Sequence, residues 1–344
     1  MVQDQSTAIE RDLQQITDKL LINGTLIKCP GLIYGKMGIA VFFFQYARYT
    51  GNELFEDYAV EIIQAIQTEI HKDSLTDYDR GLTGIGAGIE YLSQNRFLAI
   101  DTDEILEDFD SRIRHDIMYI QQENNRLANG LCGLGQYLLY RINSCSADMN
   151  ELCLLINQES MMHVVNILEN DTNVFPKDLP DIISFLCRLY KLDICNPKID
   201  RYMDKVLKDL SFNDIPNEQL FSWSLALLRI VSIRTQITDT ADKVIDRTLQ
   251  LMESKGESLS DSWIVDLINQ LLWLLQCKRL IKQTSANMDW SIRIDALLKK
   301  IFPQKEDKLY FEKGKLSLKG SAGVGLAMMT LSGKCDDAWL DLLG

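Results

Sequence analysis

An all-α fold, assembled from seven copies of one helical hairpin and closed into a ring, is what the sequence predicts. Three observations lead there. A Gly-x-x-Gly signature recurs at near-constant spacing, each copy runs directly into an apolar segment, and one-sided amphipathic segments fill the intervals. Length and composition permit it: 344 residues, 46% of them hydrophobic, can bury a large core, and only six prolines interrupt helix formation. A repeat running from end to end makes residues 1–344 a single domain.

The elements follow in order. A first flanking helix carries Ile9, Leu13, Ile16 and Leu20 and is expected to pair with the first buried helix. The signatures are Gly35-Lys-Met-Gly38-Ile-Ala40, Gly81-Leu-Thr-Gly84-Ile-Gly86, Gly130-Leu-Cys-Gly133-Leu-Gly135 and Gly320-Ser-Ala-Gly323-Val-Gly325. The first three begin 46 and 49 residues apart, and the 190 residues before the last hold three further copies at the same spacing. Each signature opens a helix that is apolar nearly all round, such as Ile39 to Ala47, and so is buried on every side. Between them, Leu54, Phe55, Tyr58, Ala59, Ile62, Ile63, Ile66 and Ile70 form a one-sided stripe. The same pattern recurs through Ile105, Leu106, Phe109, Ile113, Ile117 and Ile120, through Ile199 to Leu210, and through Ile292, Ala296, Leu297 and Ile301. The three copies without glycines keep only the buried helix, at Ile182 to Leu186, Trp223 to Leu228 and Leu267 to Trp273. Fourteen helices result.

Signatures preserved at both ends of the chain favour closure, since an open stack of repeats carries atypical capping copies at its ends. The glycines are read first as structural, permitting a tight turn and close packing through a missing side chain and a tolerance of positive φ. In a ring, all seven turns open at one end. Tyr34, Lys36, Asp79, Arg80, Asn129 and Lys319 then stand at the mouth as candidate binding residues.

The formal net charge is −13, without a basic run to track a phosphate backbone, which argues against nucleic acid and anionic membranes as partners. A basic peptide is compatible with such a surface, although solubility alone accounts for the charge. The polar start after Met1 lacks the basic and apolar stretches of a secretory signal, and no apolar run approaches the roughly 20 residues that span a bilayer. A cytoplasmic protein is expected. The eight cysteines, at 29, 132, 145, 153, 187, 195, 277 and 335, show no Cys-x-x-Cys spacing and read as buried, reduced core residues.

These residues resemble the lanthionine synthetase C-like family along essentially the whole chain. The most specific pieces are Gly31 to Ala40 with Tyr49-Thr-Gly-Asn52, Gly81 to Gly86 with Glu90-Tyr-Leu92, Asp103 to Asp110, and Leu318 to Leu326 followed by Trp339. The resemblance implies a seven-repeat α/α toroid that acts on a ribosomally made peptide, where active members add cysteine thiols to dehydrated serine or threonine. It also implies zinc, which lowers the thiol pKa and needs three protein ligands and an open position.

The family's ligands are the cysteine of a Trp-Cys-Tyr-Gly motif and both residues of a Cys-His-Gly motif, and neither motif occurs here. Asn217 stands about where the first cysteine belongs, and Asp261 and Ser262 stand near the Cys-His positions. The family's His-Gly of the fourth repeat is replaced by Lys177-Asp-Leu-Pro-Asp181. His71, His115 and His163 fall in or at the end of flanking helices, away from any central cavity, and a cluster of Cys132, Cys187 and Cys277 lacks ligand spacing.

The sequence therefore suggests a zinc-free pseudoenzyme, with no catalytic residues and no cofactor, that binds a peptide or a peptide-modifying enzyme. Two alternatives remain open. One is an active cyclase with other ligands. The other is a toroid glycosidase using a carboxylate pair drawn from Asp178, Asp181, Glu218, Asp261 and Asp266.

Overall fold

The structure is a computed structural model describing residues 2–120, 125–144, 151–171, 174–209, 215–234, 238–254, 263–283, 288–301 and 315–344. Among these residues it is all-helical, without strands, as an α/α toroid requires. The helices are α1 (Val2–Asn23), α2 (Lys36–Thr50), α3 (Leu54–Glu69), α4 (Leu82–Gln94), α5 (Thr102–Ile105), α6 (Glu107–Tyr119), α7 (Leu131–Asn143) and α8 (Glu151–Asn170). They continue as α9 (Leu179–Tyr190), α10 (Asn196–Asp209), α11 (Leu220–Ile233), α12 (Thr238–Ser254), α13 (Trp263–Gln283), α14 (Met288–Ile301) and α15 (Ser321–Leu331). No helix among the described residues is long and apolar enough to cross a membrane.

Buried and flanking helices alternate as the repeat requires. Every residue of α2 from Lys36 to Ala47 is buried, as is Leu82 to Leu92 of α4, Leu131 to Ile142 of α7 and Ser321 to Met329 of α15. One flank is split, giving fifteen α-helices among the described residues where fourteen were expected. The Asp101 side chain caps α5 by accepting from the backbone N–H groups of Asp103 at 2.9 Å and Glu104 at 3.3 Å, and the chain breaks at Leu106 before resuming as α6. Four stripe residues are corrected. Leu54, Ile105 and Ile292 are exposed, at 71%, 48% and 63%, and Ala296 is exposed as well. The buried stripe of α14 instead runs through Trp290, Ile294, Leu297, Leu298 and Ile301, whose 4-3-1-3 spacing keeps one face inward and turns Ile292 outward.

The described chain forms two compact units. The first comprises residues 1–113, 264–272 and 305–343. Within it α2 packs against α3, α4 and α15, and α1 lies on α15. The first flanking helix thus pairs principally with the last buried helix, where α2 was the expected partner. The core is aromatic: Phe43 meets Tyr58 edge-on at 4.8 Å between centroids, and Tyr46 meets Phe55 at 4.7 Å. Beyond the helices, the Tyr78 hydroxyl donates to the Leu342 carbonyl at 3.1 Å.

The second unit comprises residues 114–263, 273–304 and 344. Here α7 packs on α8 and α9, α9 on α10 and α11, and α11 on α12, which in turn meets α14. Where the glycine signature is lost, larger side chains take over the spacing: Trp273 Nε1 donates to the Phe221 carbonyl at 3.0 Å and to Ser224 Oγ at 2.9 Å. Ion pairs link the flanks. Arg201 reaches Glu169 at 2.7 Å, and Arg293 spans Asp246 at 2.7 Å and Glu253 at 3.0 Å.

The glycines serve close approach rather than unusual dihedrals. Gly35, Gly81, Gly130 and Gly320 have φ of −131°, −108°, −135° and −159°, so the expected tolerance of positive φ is not used. In three repeats the preceding loop curls beneath the helix start and its carbonyls accept from first-turn N–H groups that lack helical partners. Cys29 O accepts from Lys36 N at 2.9 Å, Leu75 O from Leu82 N at 2.8 Å, and Lys315 O from Ser321 N at 3.0 Å. A side chain on Gly84 or Gly323 would occupy the space of the Tyr78 or Leu318 carbonyl.

Candidate functional site

Within the first unit the loops of the first, second and seventh repeats lie edge to edge. Ile33 N donates to Asp79 O at 2.9 Å, Lys319 N to Ile33 O at 3.4 Å, and Ser317 Oγ to Leu32 O at 3.0 Å. Gly31 abuts the backbone of Arg80 so closely that no side chain fits between them. This stacking gathers three of the six residues named from the sequence. The Tyr34 ring, 40% exposed, has the Arg80 guanidinium carbon 5.4 Å and the Lys319 ammonium 5.9 Å from its centroid. Each contact is worth about 0.5–1 kcal/mol at an exposed site. Asp77 is the nearby carboxylate with a defined role: it accepts from the backbone N–H of Arg80 at 2.6 Å and of Gly81 at 3.0 Å.

The other three residues stand differently. Lys36 is 3% exposed and pairs with Glu69, so it belongs to the interior and not to a mouth. Asp79 is half-buried and uses its carbonyl to hold Ile33. Asn129 is exposed on the loop before α7, in the second unit.

In that unit the third loop is held by carboxylates. Asn125 donates to Asp171 at 2.8 Å, Arg126 Nε to Asp178 at 3.0 Å, and Leu127 N to Asp181 at 3.0 Å. Asp178 is 2% exposed. The partners lie 46, 52 and 54 residues apart, close to the repeat length, and that offset was the signal by which the sequence could have revealed them. Of the carboxylates considered for glycoside hydrolysis, Asp178 and Asp181 are thus occupied in holding backbone and arginine. Glu218 is exposed, and Asp261 and the side chain of Asp266 lie outside the described residues.

The described donors do not fit a zinc ion. Asn217, named from the sequence as standing about where a first cysteine ligand would belong, is exposed and accepts from Arg247 at 2.8 Å; an amide oxygen so engaged does not replace a thiolate. Asp261 and Ser262 lie outside the described residues. Cys132, Cys187 and Cys277 are fully buried, and desolvation pushes all three thiols up, Cys187 to about 12, which holds them protonated at neutral pH. Cys29, Cys153, Cys195 and Cys335 are only half-buried and Cys145 lies outside the described residues, so among the seven described cysteines the expected core position holds for three. His71, His115 and His163 are exposed. No three His, Cys, Asp or Glu residues among those described come together as a metal site.

Among curated proteins none matches the chain. The family model for lanthionine synthetase C-like protein matches residues 28–181, a span that holds the first three glycine turns and the carboxylate-held third loop. Over those residues, a little under half of its length, the chain is similar to the lanthionine synthetase C-like family, and its all-helical repeat is in keeping with that likeness.

Proposed function

We propose that this protein, similar to the lanthionine synthetase C-like family, binds a ribosomally made peptide, or the enzyme that modifies it, and adds no thiols of its own through zinc. The observation carrying this reading is the state of Asn217. About where the resemblance would put a zinc-bound cysteine, an exposed amide is committed to Arg247. The buried cysteines support it as well, because their protonated thiols are poor metal ligands. Cys29, Cys132, Cys187, Cys195, Cys277 and Cys335 carry free thiols, which suits the reducing interior of a cell.

Two measurements test the reading together. Protein purified without chelator is expected to contain less than about 0.1 equivalents of zinc, since a site requires ligands of the kind missing at these positions. With or without added zinc, it is expected to form no thioether in a dehydrated peptide that contains a free cysteine. Stoichiometric zinc bound through cysteine, with thioether formation, would establish an active cyclase instead.

A further inference from the structure

The loops of the first unit bring two cations together on one ring, in a protein that is acidic as a whole. The chain carries a net charge of −13, yet Arg80 and Lys319 converge on one exposed ring. Among the described residues neither side chain has a carboxylate at ion-pair distance, whereas elsewhere Arg126, Arg201, Arg234 and Arg293 are each paired with one or two acids. Of the two acids that precede Arg80 in its loop, Asp77 turns its oxygen to backbone N–H groups and the adjacent Asp79 is half-buried. Two cations drawn to one ring repel one another, and solvation alone gives no reason to gather them over a tyrosine.

The backbone makes the arrangement rigid. Three loops from the first, second and seventh repeats are joined by the Lys319–Ile33–Asp79 hydrogen bonds, and Gly31 presses directly on Arg80. Pre-positioned charges of one sign bind an anion with little further ordering cost. Tyr34 adds an apolar ring face between the two cations, which suits a ligand with carboxylates beside an apolar group more than it suits a small inorganic ion.

From this we infer that Tyr34, Arg80 and Lys319 form a recognition subsite for an acidic peptide segment, with glutamate or aspartate side chains meeting the cations and a neighbouring apolar residue on the tyrosine ring. The inference rests on the peptide-binding reading above and specifies the sign of the peptide's charge.

The test uses the full chain and three blocked hexapeptides of leucine alternating with pairs of glutamate, glutamine or lysine, titrated calorimetrically at low salt beside inorganic phosphate. The glutamate peptide is expected to bind at least tenfold more tightly than the glutamine peptide. The double substitution Arg80→Ala and Lys319→Ala should erase that difference with little change in melting temperature, because Arg80 is exposed, Lys319 is partly exposed and neither holds an ion pair among the described residues. The charge-reversed pair Arg80→Glu and Lys319→Glu should transfer the preference to the lysine peptide. Equal binding of all three peptides, an unchanged preference in both double variants, or binding of phosphate without any peptide would overturn the inference. A lysine preference in the unaltered protein would remove the acidic subsite and leave peptide binding standing. Zinc-dependent thioether formation would remove the proposed function while the charge preference could still be read.

Discussion

The carbonyl oxygen of Tyr78 fills the space into which a side chain on Gly84 would project. The loop passes there because its carbonyls serve the opening N–H groups of α4, so backbone lies against backbone with no flexible group to yield. Gly84→Ala is expected to lower unfolding stability by about 3 kcal/mol, as overpacking against a rigid neighbour does. Gly51 offers the contrast: it ends α2 with φ of 70° and has open space around it. There alanine costs only the left-handed conformation, about 1 kcal/mol. Urea denaturation of the two variants checks the order, and equal losses would contradict the close-approach account.

Removing the buried carboxylate of Asp178 should release the third loop. Asp178→Ala leaves Arg126 without its partner at 3.0 Å and is expected to cost about 1–3 kcal/mol, within the range for hydrogen bonds to charged groups. Amide exchange should quicken at residues 125–130 and stay unchanged at 29–35, which belong to the other unit. Uniform acceleration through both segments would show that Asp178 supports the fold generally and not this loop.

Thiol chemistry gives a prediction with a definite pH sense. Burial favours the neutral thiol of Cys187 and raises it from 9.0 to about 12, and burial with neighbouring Asp336 does the same for Cys335. The unfolded chain therefore loses these protons first as pH rises. Their contribution is whole below pH 9 and is lost progressively between 9 and 12, at no more than about 1.4 kcal/mol per pH unit for each group. At pH 8 a thiol with such a value is ionised only to about one part in ten thousand, so Ellman's reagent should leave Cys187 unmodified in the native protein and label it rapidly in denaturant. Stability that is flat from pH 8 to 11, or prompt native labelling of Cys187, would contradict the burial.

Arg293 joins α12 and α14 through Asp246 and Glu253, but both carboxylates are more than 40% exposed. Arg293→Ala should consequently cost no more than about 1 kcal/mol per pair, and the loss should shrink in 1 M salt as screening removes the same interaction. A larger loss insensitive to salt would assign Arg293 a packing role through its stem.

Much of the helical plan was legible because apolar spacing directly reports which face of a helix is buried. Phe42 and Leu92 lie on buried helices and Phe109 on a flanking one, as the pattern requires. Ile292 failed because the stripe was traced from aliphatic residues alone and passed over Trp290, two positions earlier on the opposite side of the helix. The signature glycines were recognised while their cause was not: spacing marks a turn, but only coordinates show that the turn is filled by a carbonyl and not by a left-handed residue. At the candidate site, loop position was enough to name Tyr34, Arg80 and Lys319. It was not enough for Lys36, whose partner Glu69 lies 33 residues away at the end of a flanking helix, a distance that no local pattern reports.

The first unit is sewn together by residues from the two extremes of the chain: Ser317 bonds Leu32 across 285 positions, Cys335 meets Gln45 across 290, and α15 covers α1 and α2. During synthesis the ribosome emits α1 and α2 early and the segment carrying α15 only after some 270 further residues. The apolar flank of α2 must wait uncovered through that interval, in a crowded cell where exposed hydrophobic surface invites aggregation. Nascent chains truncated before residue 315 should accordingly recruit chaperones, and release of the chain from them should coincide with the arrival of α15.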